Sequence, residues 1–287
     1  MQPILSFTWR SRLRFLSLLV AAAFGPAVLN AASAEKTQKP IVLFNGQNLD
    51  GWSVFIDRQP AGSDAGQIFQ VLDGVIHVYR SAPAGSAQPF GYIATKDVYS
   101  HYRLKLEYRW GEKKFEPRAS QVRDSGVLYH VGEKEAVWPQ SIEFQIQERD
   151  VGDIYAVHTR VHSTLDPKQI PPDEPKQWGG AQYLPPERGG VERGIGGDWI
   201  ARIRKEGTYE HEGWNTLEVV VQGDRAVHIV NGQVNNRCFQ FERPDPARPG
   251  KFIPVKQGRI VLQAEGAEVL FRNIVLMPLD PTSAAFR

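Results

Sequence analysis

The chain has 287 residues, with 34 lysines and arginines, 32 aspartates and glutamates, and a single cysteine, Cys238. One cysteine excludes an internal disulfide, and a net charge of +2 without a basic stripe argues against a nucleic-acid partner. The near-neutral balance favours an uncharged ligand.

The first segment of the chain has the pattern of a secretory signal. A cluster of arginines precedes a short apolar run at residues 15–24, and a small-residue cleavage site ends at Ala34. We expect residues 1–34 to be a signal peptide cleaved after Ala34, which predicts a periplasmic or secreted protein; an uncleaved anchor is the alternative. No second apolar run follows, so residues 35–287 are predicted as one domain without a membrane span.

Beyond residue 40, short runs of alternating apolar and polar residues recur between turn signals such as Asp73-Gly74 and Asn231-Gly232. Convincing amphipathic helices are missing. This pattern predicts an all-β protein, a sandwich or a jelly roll. The strand-like runs lie at residues 69–72, 75–79, 102–110, 126–131, 142–147, 216–221, 226–230, 259–263 and 269–276.

Residues 162–213 break the pattern, because they are rich in proline, glycine and charge and show weak periodicity. A stretch of this length is either an ordered functional loop or a flexible insertion. It carries Trp178, Tyr183, Trp199 and Tyr209. Because aromatic residues are scarce in disordered linkers, we expect an ordered insertion that forms a lid over the functional site.

The strand at residues 142–147 gives the strongest functional signal. Successive side chains of a strand point to opposite faces, so Glu143, Gln145 and Gln147 share one face and apolar residues occupy the other. Glutamate and glutamine are poor strand formers, so this row predicts a sugar-binding or sugar-cleaving surface. If the neighbouring strands pair in one sheet, the same polar surface also carries Glu107, Arg109, His130 and Gln263.

A mononuclear metal site is an alternative use of this surface. His130, Glu143 and His158 could supply nitrogen and oxygen ligands to a divalent ion. No local ligand spacing supports such a site strongly, and a lone histidine in a loop is more often structural or exposed. The cofactor therefore stays open at this point.

A series of phrases in order along residues 41–279 resembles the 3-keto-disaccharide hydrolase family. The phrases are LFNGQNLDGW at 43–52, YIATK at 92–96, residues 102–109, Asp124-Ser125-Gly126-Val127, Glu143-Phe144-Gln145-Ile146, and residues 213–215, 230–232, 260–263 and 271–274. The resemblance implies a concanavalin A-like jelly-roll sandwich of two antiparallel sheets. It also implies cleavage of glycosides whose sugar carries a ketone at C3.

The implied chemistry needs a base and a partner for an oxyanion. A C3 ketone acidifies the proton on C2; a base removes it, the enolate oxygen is stabilised, and the group on C1 departs. Glu143 is the predicted base, with His130 or His158 as second choice, and Arg109 or a divalent ion is the predicted oxyanion partner. The predicted substrate-binding residues are Gln145, Glu107, Asp124, His158, Trp138, Trp214 and Gln263.

Two other functions stay open. Jelly rolls host many lectins, so a non-catalytic carbohydrate-binding module is one alternative. The other is a classical endo-glucanase, because residues 143–148 have the spacing of the Glu-x-Asp-x-x-Glu strand of glycoside hydrolase family 16, with Gln145 replacing the aspartate. That reading requires Glu143 and Glu148 to face each other about 5–5.5 Å apart. Asp124, where the resembled family usually has asparagine, is a further departure.

Overall fold

The computed structural model describes residues 39–60, 62–170 and 180–281, and within them it contains strands and two 3-10 turns but no α-helix. The 3-10 turns span Ala65–Gln67 and Pro186–Arg188. The strands are β1 (Ile41–Val42), β2 (Trp52–Ile56), β3 (Phe69–Leu72), β4 (Val75–Val78), β5 (Gly91–Thr95), β6 (His101–Lys114), β7 (Asp124–Val131), β8 (Ser141–Gln147), β9 (Ile154–Val157), β10 (Arg160–Leu165), β11 (Ala181–Gln182), β12 (Val191–Gly196), β13 (Ile200–Arg204), β14 (Asn215–Gln222), β15 (Arg225–Val230), β16 (Gln233–Pro244), β17 (Phe252–Pro254), β18 (Arg259–Ala264) and β19 (Ala267–Pro278).

The described strands form two sheets. The larger sheet has the order β12-β10-β16-β15-β14-β6-β19-β4-β3, with β1 added to β19 and β17 to β16. The smaller sheet has the order β11-β13-β9-β8-β7-β18-β5-β2. Strands distant in sequence are neighbours in both, and every pair is antiparallel except β11 with β13. The prediction of an all-β jelly-roll sandwich is confirmed.

The core lies between the two sheets, and aromatic side chains connect them. The Tyr129 hydroxyl on β7 donates to Nε2 of His228 on β15 at 3.0 Å. The ring of Phe144 on β8 stacks on the same imidazole with centroids 4.4 Å apart. All three residues are fully buried, and full burial of one large apolar side chain stabilises a fold by about 1.5–3 kcal/mol.

The described part of residues 162–213 is more regular than the sequence suggested. It provides most of β10 together with β11, β12 and β13, so it extends both sheets at one edge. Tyr183, Trp199 and Tyr209 pack against the core, whereas Trp178 lies outside the described residues. The described part of this segment therefore builds a wall of the sandwich, and its described aromatic residues pack against the core instead of forming a lid.

The predicted signal peptide, residues 1–34, lies outside the described residues and stays a prediction. Among the helical segments that the structure describes, none has the length and apolar character needed to cross a membrane.

Candidate active site

The outer face of the smaller sheet carries the polar row predicted from the sequence. Ile142, Phe144 and Ile146 on β8 join the core between the sheets, and alternation turns Glu143 and Gln145 to the opposite face. The strand register places Glu143 beside Leu128 of β7 on one side and Tyr155 of β9 on the other. The alternation predicted for this strand is thus confirmed.

A cavity of about 230 Å³ lies over this row. Its lining combines acidic, basic, amide and aromatic side chains with two aliphatic residues. These residues are Arg118, Asp124, Trp138, Glu143, Gln145, Gln147, Tyr155, Val157, Ile200, Arg202 and Glu265. Four of the predicted site residues therefore meet here: Glu143, Gln145, Asp124 and Trp138.

Arg118 is the cation at the centre of this group of carboxyls. Its guanidinium bridges the Asp124 carboxylate, at 2.8 Å, and the Glu265 carboxylate. The Trp138 indole donates to Glu265 at 3.2 Å, and the Gln147 amide donates to Asp124 at 2.8 Å. Arg118 thus acts on all three carboxyls, and Arg202 acts on Asp124 as well.

Burial raises the pKa of all three carboxyls, and neighbouring negative charges raise the pKa of Glu143 and Glu265 further. Desolvation, then the charges of Glu265 and Asp124, raise the pKa of Glu143 well above its ordinary value. Desolvation, followed by the charge of Asp124, raises the pKa of Glu265 to about 8. Desolvation also raises the pKa of Asp124 to about 6, against the opposing effect of Arg118. Perturbed carboxyls in a cleft are characteristic of functional sites.

The Glu143 carboxyl has no hydrogen-bond partner among the described residues, although it is only 5% exposed. Such a group, held at a cavity wall, is available to a bound molecule.

Gly126 on β7 provides the space that Glu143 occupies. A β-carbon at this position would overlap a carboxyl oxygen of Glu143 and approach Leu128 at 3.1 Å. We therefore expect Gly126→Ala to displace the Glu143 carboxyl. Any catalytic activity that depends on this carboxyl should fall at least about tenfold, and overpacking should cost about 1–3 kcal/mol of stability. Steady-state rates and urea unfolding of the same preparation measure the two effects; unchanged rates would show that the carboxyl position is not critical.

The raised pKa values also predict how stability depends on pH. The folded chain retains protons on Glu143 and Glu265 at pH values where the unfolded chain has released them. This contribution is complete below the ordinary carboxyl pKa and is lost as pH rises through the folded value. The buried histidines His130 and His228, with pKa values lowered by burial, act in the opposite direction only below about pH 6.5.

We expect the free energy of unfolding to fall as pH rises from about 7 through the folded pKa of Glu265, about 8, by up to about 1.4 kcal/mol per pH unit for this carboxyl. Urea denaturation over this range measures the slope, and Glu265→Gln should flatten it. A free energy that stays level or rises in the parent protein would contradict the assignment of buried protonated carboxyls.

β13 supplies a second cationic wall. Arg202 contacts Asp150 at 2.9 Å and Asp153 at 2.7 Å, and its guanidinium lies 5.5 Å from the ring centroid of Tyr155. Gln145 hydrogen-bonds Tyr155, and the Oε1 atom of Gln145 has no partner. The wall therefore holds Tyr155 in place and leaves an amide acceptor unengaged.

Gln263 lies on β18, opposite Tyr92 of β5, two strands away from Gln145. It is 2% exposed, and neither atom of its amide has a hydrogen-bond partner. Next to it, Tyr92, Leu128 and Val261 form a small apolar cluster on the same face. Gln263 thus shares the predicted face but does not line the open cavity.

Glu107 and Arg109 lie on the larger sheet and Trp214 lies just before β14 of that sheet, so the expected placement of these three residues is wrong. Glu107 and Arg109 are on β6 in the larger sheet, where alternation turns them outward from the core. Glu107 binds Arg272 at 2.7 Å, and Trp214 is contacted by the guanidiniums of Arg272, at 3.8 Å, and Arg109, at 5.1 Å. This cluster faces away from the Glu143 cavity, because the two sheets turn their outer faces in opposite directions.

His130 is also displaced from the predicted face, for a backbone reason. The register between β7 and β18 shifts next to it, and its φ is +55°. The ring therefore turns inward, donates from Nε2 to the Gly223 carbonyl at 2.7 Å, and packs on Tyr129 and Phe241. Burial lowers the pKa of His130 to about 4.

His158 occupies the exposed turn between β9 and β10, where its Nδ1 donates to the Asp198 carbonyl at 2.8 Å. It does not line the cavity, so the proposed ligand set of His130, Glu143 and His158 is not assembled. Within the described ranges, no group of three histidine, cysteine or acidic residues is arranged to hold a metal ion.

Sequence reasoning missed Arg118, Glu265, Tyr155 and Arg202. The alternation rule could have found Glu265, because it follows Gln263 by two residues and so continues its face. Tyr155 belongs to a strand of four residues, and Arg202 to a segment with weak periodicity. Arg118 lies in a loop after β6, where no periodic pattern applies.

Two solved structures from Parabacteroides distasonis, each described as a candidate glycosyl hydrolase, are similar to this chain. The first is 20% identical, covers 84% of this chain and 94% of its own, and has a TM-score of 0.49. The second is 18% identical, covers 84% of this chain and 100% of its own, and has a TM-score of 0.46. A carbohydrate-binding module from Bacillus subtilis is 8% identical, covers 78% of this chain and 93% of its own, and has a TM-score of 0.41.

No curated protein matches the chain. The sequence profile of the 3-keto-alpha-glucoside-1,2-lyase-like domain, in contrast, matches residues 39–277. Except for Pro278 at the end of β19, that range contains all strands of both sheets and all residues of the Glu143 cavity, and the match confirms the resemblance noted from the sequence. The chain therefore belongs to the family of 3-keto-alpha-glucoside-1,2-lyase-like domains, a carbohydrate-active family.

Proposed function

We propose that this protein cleaves 3-keto-glycosides in the Glu143 cavity by elimination across C1 and C2. The observation that carries the proposal is an unpartnered carboxyl with a raised pKa beside an arginine, at the base of a cavity in a domain of this family. A base with a raised pKa and a nearby cation are the two groups that removal of an acidified C2 proton requires.

The elimination begins at C2 and ends with cleavage of the C1–O bond. The Glu143 carboxylate takes the C2 proton, and the electrons of the C2–H bond form the enolate of the C3 ketone. Those electrons then form the C1–C2 double bond while the C1–O bond breaks, and the leaving oxygen keeps its pair and takes a proton. Addition of water to the unsaturated ketone would complete a net hydrolysis.

Arg118 replaces Arg109 as the proposed partner of the enolate oxygen. Its side chain donates to Asp124, Glu265 and Gln121 within the described residues, which leaves two of the five guanidinium N–H groups for a ligand. Its charge also acts on Glu143, where it lowers the pKa and so favours the ionised base. Arg202 exerts no comparable effect on Glu143.

Glu265 is the proposed proton donor to the leaving oxygen. Its pKa of about 8 keeps it largely protonated near neutral pH, and a general acid works best when its pKa lies near the working pH. Trp138, which lines the cavity and is 37% exposed overall, can stack on a sugar ring, and Gln145 can bond a hydroxyl.

Ordinary retaining hydrolysis finds less support in this geometry. Glu148 lies just beyond β8 and binds Arg123 at 3.1 Å. It lines a separate cavity with Trp110 and Glu210. Glu143 and Glu148 therefore do not form the facing pair that an endo-glucanase of this type needs.

The test is release of the leaving group from a 3-keto-glucoside and from the unoxidised glucoside by the protein without residues 1–34. We expect release from the keto form alone, and release from the plain glucoside would overturn the proposal. Binding of either sugar without turnover would favour a carbohydrate-binding module. Repeating the assay after EDTA treatment examines whether a divalent ion takes part.

We also propose export through residues 1–34, which N-terminal sequencing of exported protein would test by a start at Glu35.

A further inference from the structure

A second cavity of about 640 Å³ is formed by three loop segments, residues 57–59, 87–90 and 116–117. Backbone hydrogen bonds connect the segments. The backbone N–H of Asp57 donates to the Phe90 carbonyl at 2.8 Å, and the backbone N–H of Gln88 donates to the Glu116 carbonyl at 3.1 Å. The groove is thus fixed by main-chain contacts and does not depend on side-chain arrangement.

Two features join this groove to the Glu143 cavity. Phe90 on the groove wall packs with Trp138 on the cavity wall, with ring centroids 6.4 Å apart. Glu116 and Pro117 line the groove, and the next residue, Arg118, lines the cavity. The Phe90–Trp138 ring contact and the Pro117–Arg118 peptide bond therefore connect the groove directly to the Glu143 cavity.

The size of the Glu143 cavity makes a neighbouring site necessary for a larger substrate. Its volume of about 230 Å³ is below the roughly 300–1,000 Å³ usual for ligand pockets. A space of this size suits the single sugar ring that reacts. The group that leaves from C1 must then lie outside it.

The groove offers the chemistry that hydroxyl-rich molecules require. Phe90 supplies an aromatic face, Glu116 supplies a carboxylate, and a second carboxylate, Asp57, is paired with Arg58 at 3.4 Å. The Gln88 amide donates from Nε2 to the Ser86 hydroxyl at 3.0 Å, and its Oε1 has no partner within the described residues. Aromatic stacking combined with amide and carboxylate acceptors distinguishes polyhydroxylated groups from purely apolar ones.

We propose that this groove binds the leaving group of the substrate and selects hydroxyl-rich leaving groups, such as a second sugar ring, over small ones. The inference rests on the proposed function of the Glu143 cavity. It assigns specificity to residues of the groove that take no part in the elimination.

The test compares kcat/KM for a 3-keto-disaccharide and for methyl 3-keto-glucoside. In the double variant Gln88→Ala, Glu116→Ala, we expect the disaccharide-to-methyl ratio to fall about tenfold, equivalent to about 1.4 kcal/mol, chiefly through KM, because two hydrogen-bonding groups for the leaving group are lost. Both side chains lie on loops, the backbone hydrogen bonds between the segments are kept, and the Gln88–Ser86 bond is the side-chain contact that the double variant removes. The matched control is Gln233→Ala at the exposed start of β16, which should leave the ratio at the parent value.

The outcomes separate the two proposals. An unchanged ratio, or equal losses with both substrates, would overturn the groove assignment while the lyase function stands. A parent protein that turns over neither substrate would overturn both.

Discussion

Glu143→Gln is expected to lower kcat/KM toward a 3-keto-glycoside by about 10²–10⁴-fold, the usual contribution of a general base. Glutamine keeps the shape of the side chain but cannot accept the C2 proton. Steady-state release of the leaving group measures the loss. A residual rate within about threefold of the parent protein would remove Glu143 from the role of base.

The same substitution should not weaken the fold, and this separates catalysis from stability. The carboxyl is buried next to Glu265 and Asp124, whose charges raise its pKa. A neutral amide removes that repulsion, so the free energy of unfolding should stay level or rise above about pH 7. Urea denaturation of both proteins provides the comparison.

Glu148→Gln is the matched control for this variant. Glu148 is near the end of the same strand, but it binds Arg123 outside the cavity and its side chain is 31% exposed. Loss of a partly exposed ion pair costs about 0–1 kcal/mol. We expect turnover close to that of the parent protein, and a loss similar to that of Glu143→Gln would revive the pair of carboxyls required by a retaining glycosidase.

The pH profile of the parent protein should show the same base. Only ionised Glu143 can accept a proton, and its pKa lies well above the ordinary carboxyl value. We therefore expect kcat/KM to rise with pH along an acidic limb displaced upwards from about pH 4.3. A limb at the ordinary carboxyl position would indicate a solvated base instead.

Arg118→Met is the second change with a large expected effect, because it acts on turnover and on stability. Without the guanidinium, the proposed enolate loses its cationic partner, and removal of one such donor typically costs about 10²–10³ in kcat. Asp124 and Glu265 would also lose their ion-pair partner while buried, at 4% and 7% side-chain exposure.

Breaking a buried ion pair usually destabilises a protein by about 3–5 kcal/mol. We expect about 3 kcal/mol here, since the Arg118 side chain is 21% exposed. The loss should grow as pH rises, because more of the two carboxyls is then ionised. Urea denaturation at two pH values measures this, and a pH-independent loss would contradict the charge argument.

Arg109→Met is the control for Arg118→Met. Arg109 is exposed on the outer face of the larger sheet, 5.1 Å from the Trp214 ring centroid. A cation–π contact at an exposed site contributes about 0.5–1 kcal/mol. We expect a small change in stability and parent-like turnover; a large loss of turnover would return Arg109 to the site.

The sequence predicted the fold and the central strand of the site because both depend on local alternation. The period of two along residues 142–147 turns Glu143 and Gln145 away from the core, and no distant contact is needed to infer this. The same rule turned Glu107 and Arg109 outward, also correctly. It could not indicate that β6 and β8 belong to different sheets, because strand pairing depends on the whole chain.

His130 shows the other limit of the alternation rule. An irregularity of register with a positive φ reverses the direction of one side chain, and a single residue of slip is enough to do so. Arg118 shows that loop residues reach a site through tertiary packing alone. The charges on opposite sides of the cavity come from a loop, β13 and the end of β18, so the electrostatics could not be inferred from one strand.

The most direct test of the elimination follows hydrogen at C2 during cleavage of a 3-keto-glucoside in D₂O, with a reaction lacking protein to correct for spontaneous exchange. Elimination followed by water addition predicts that the released 3-keto sugar carries solvent deuterium at C2, and that Glu143→Gln abolishes both release and labelling. Release of the leaving group with the original C2 hydrogen retained would contradict the elimination and assign cleavage to direct hydrolysis at C1.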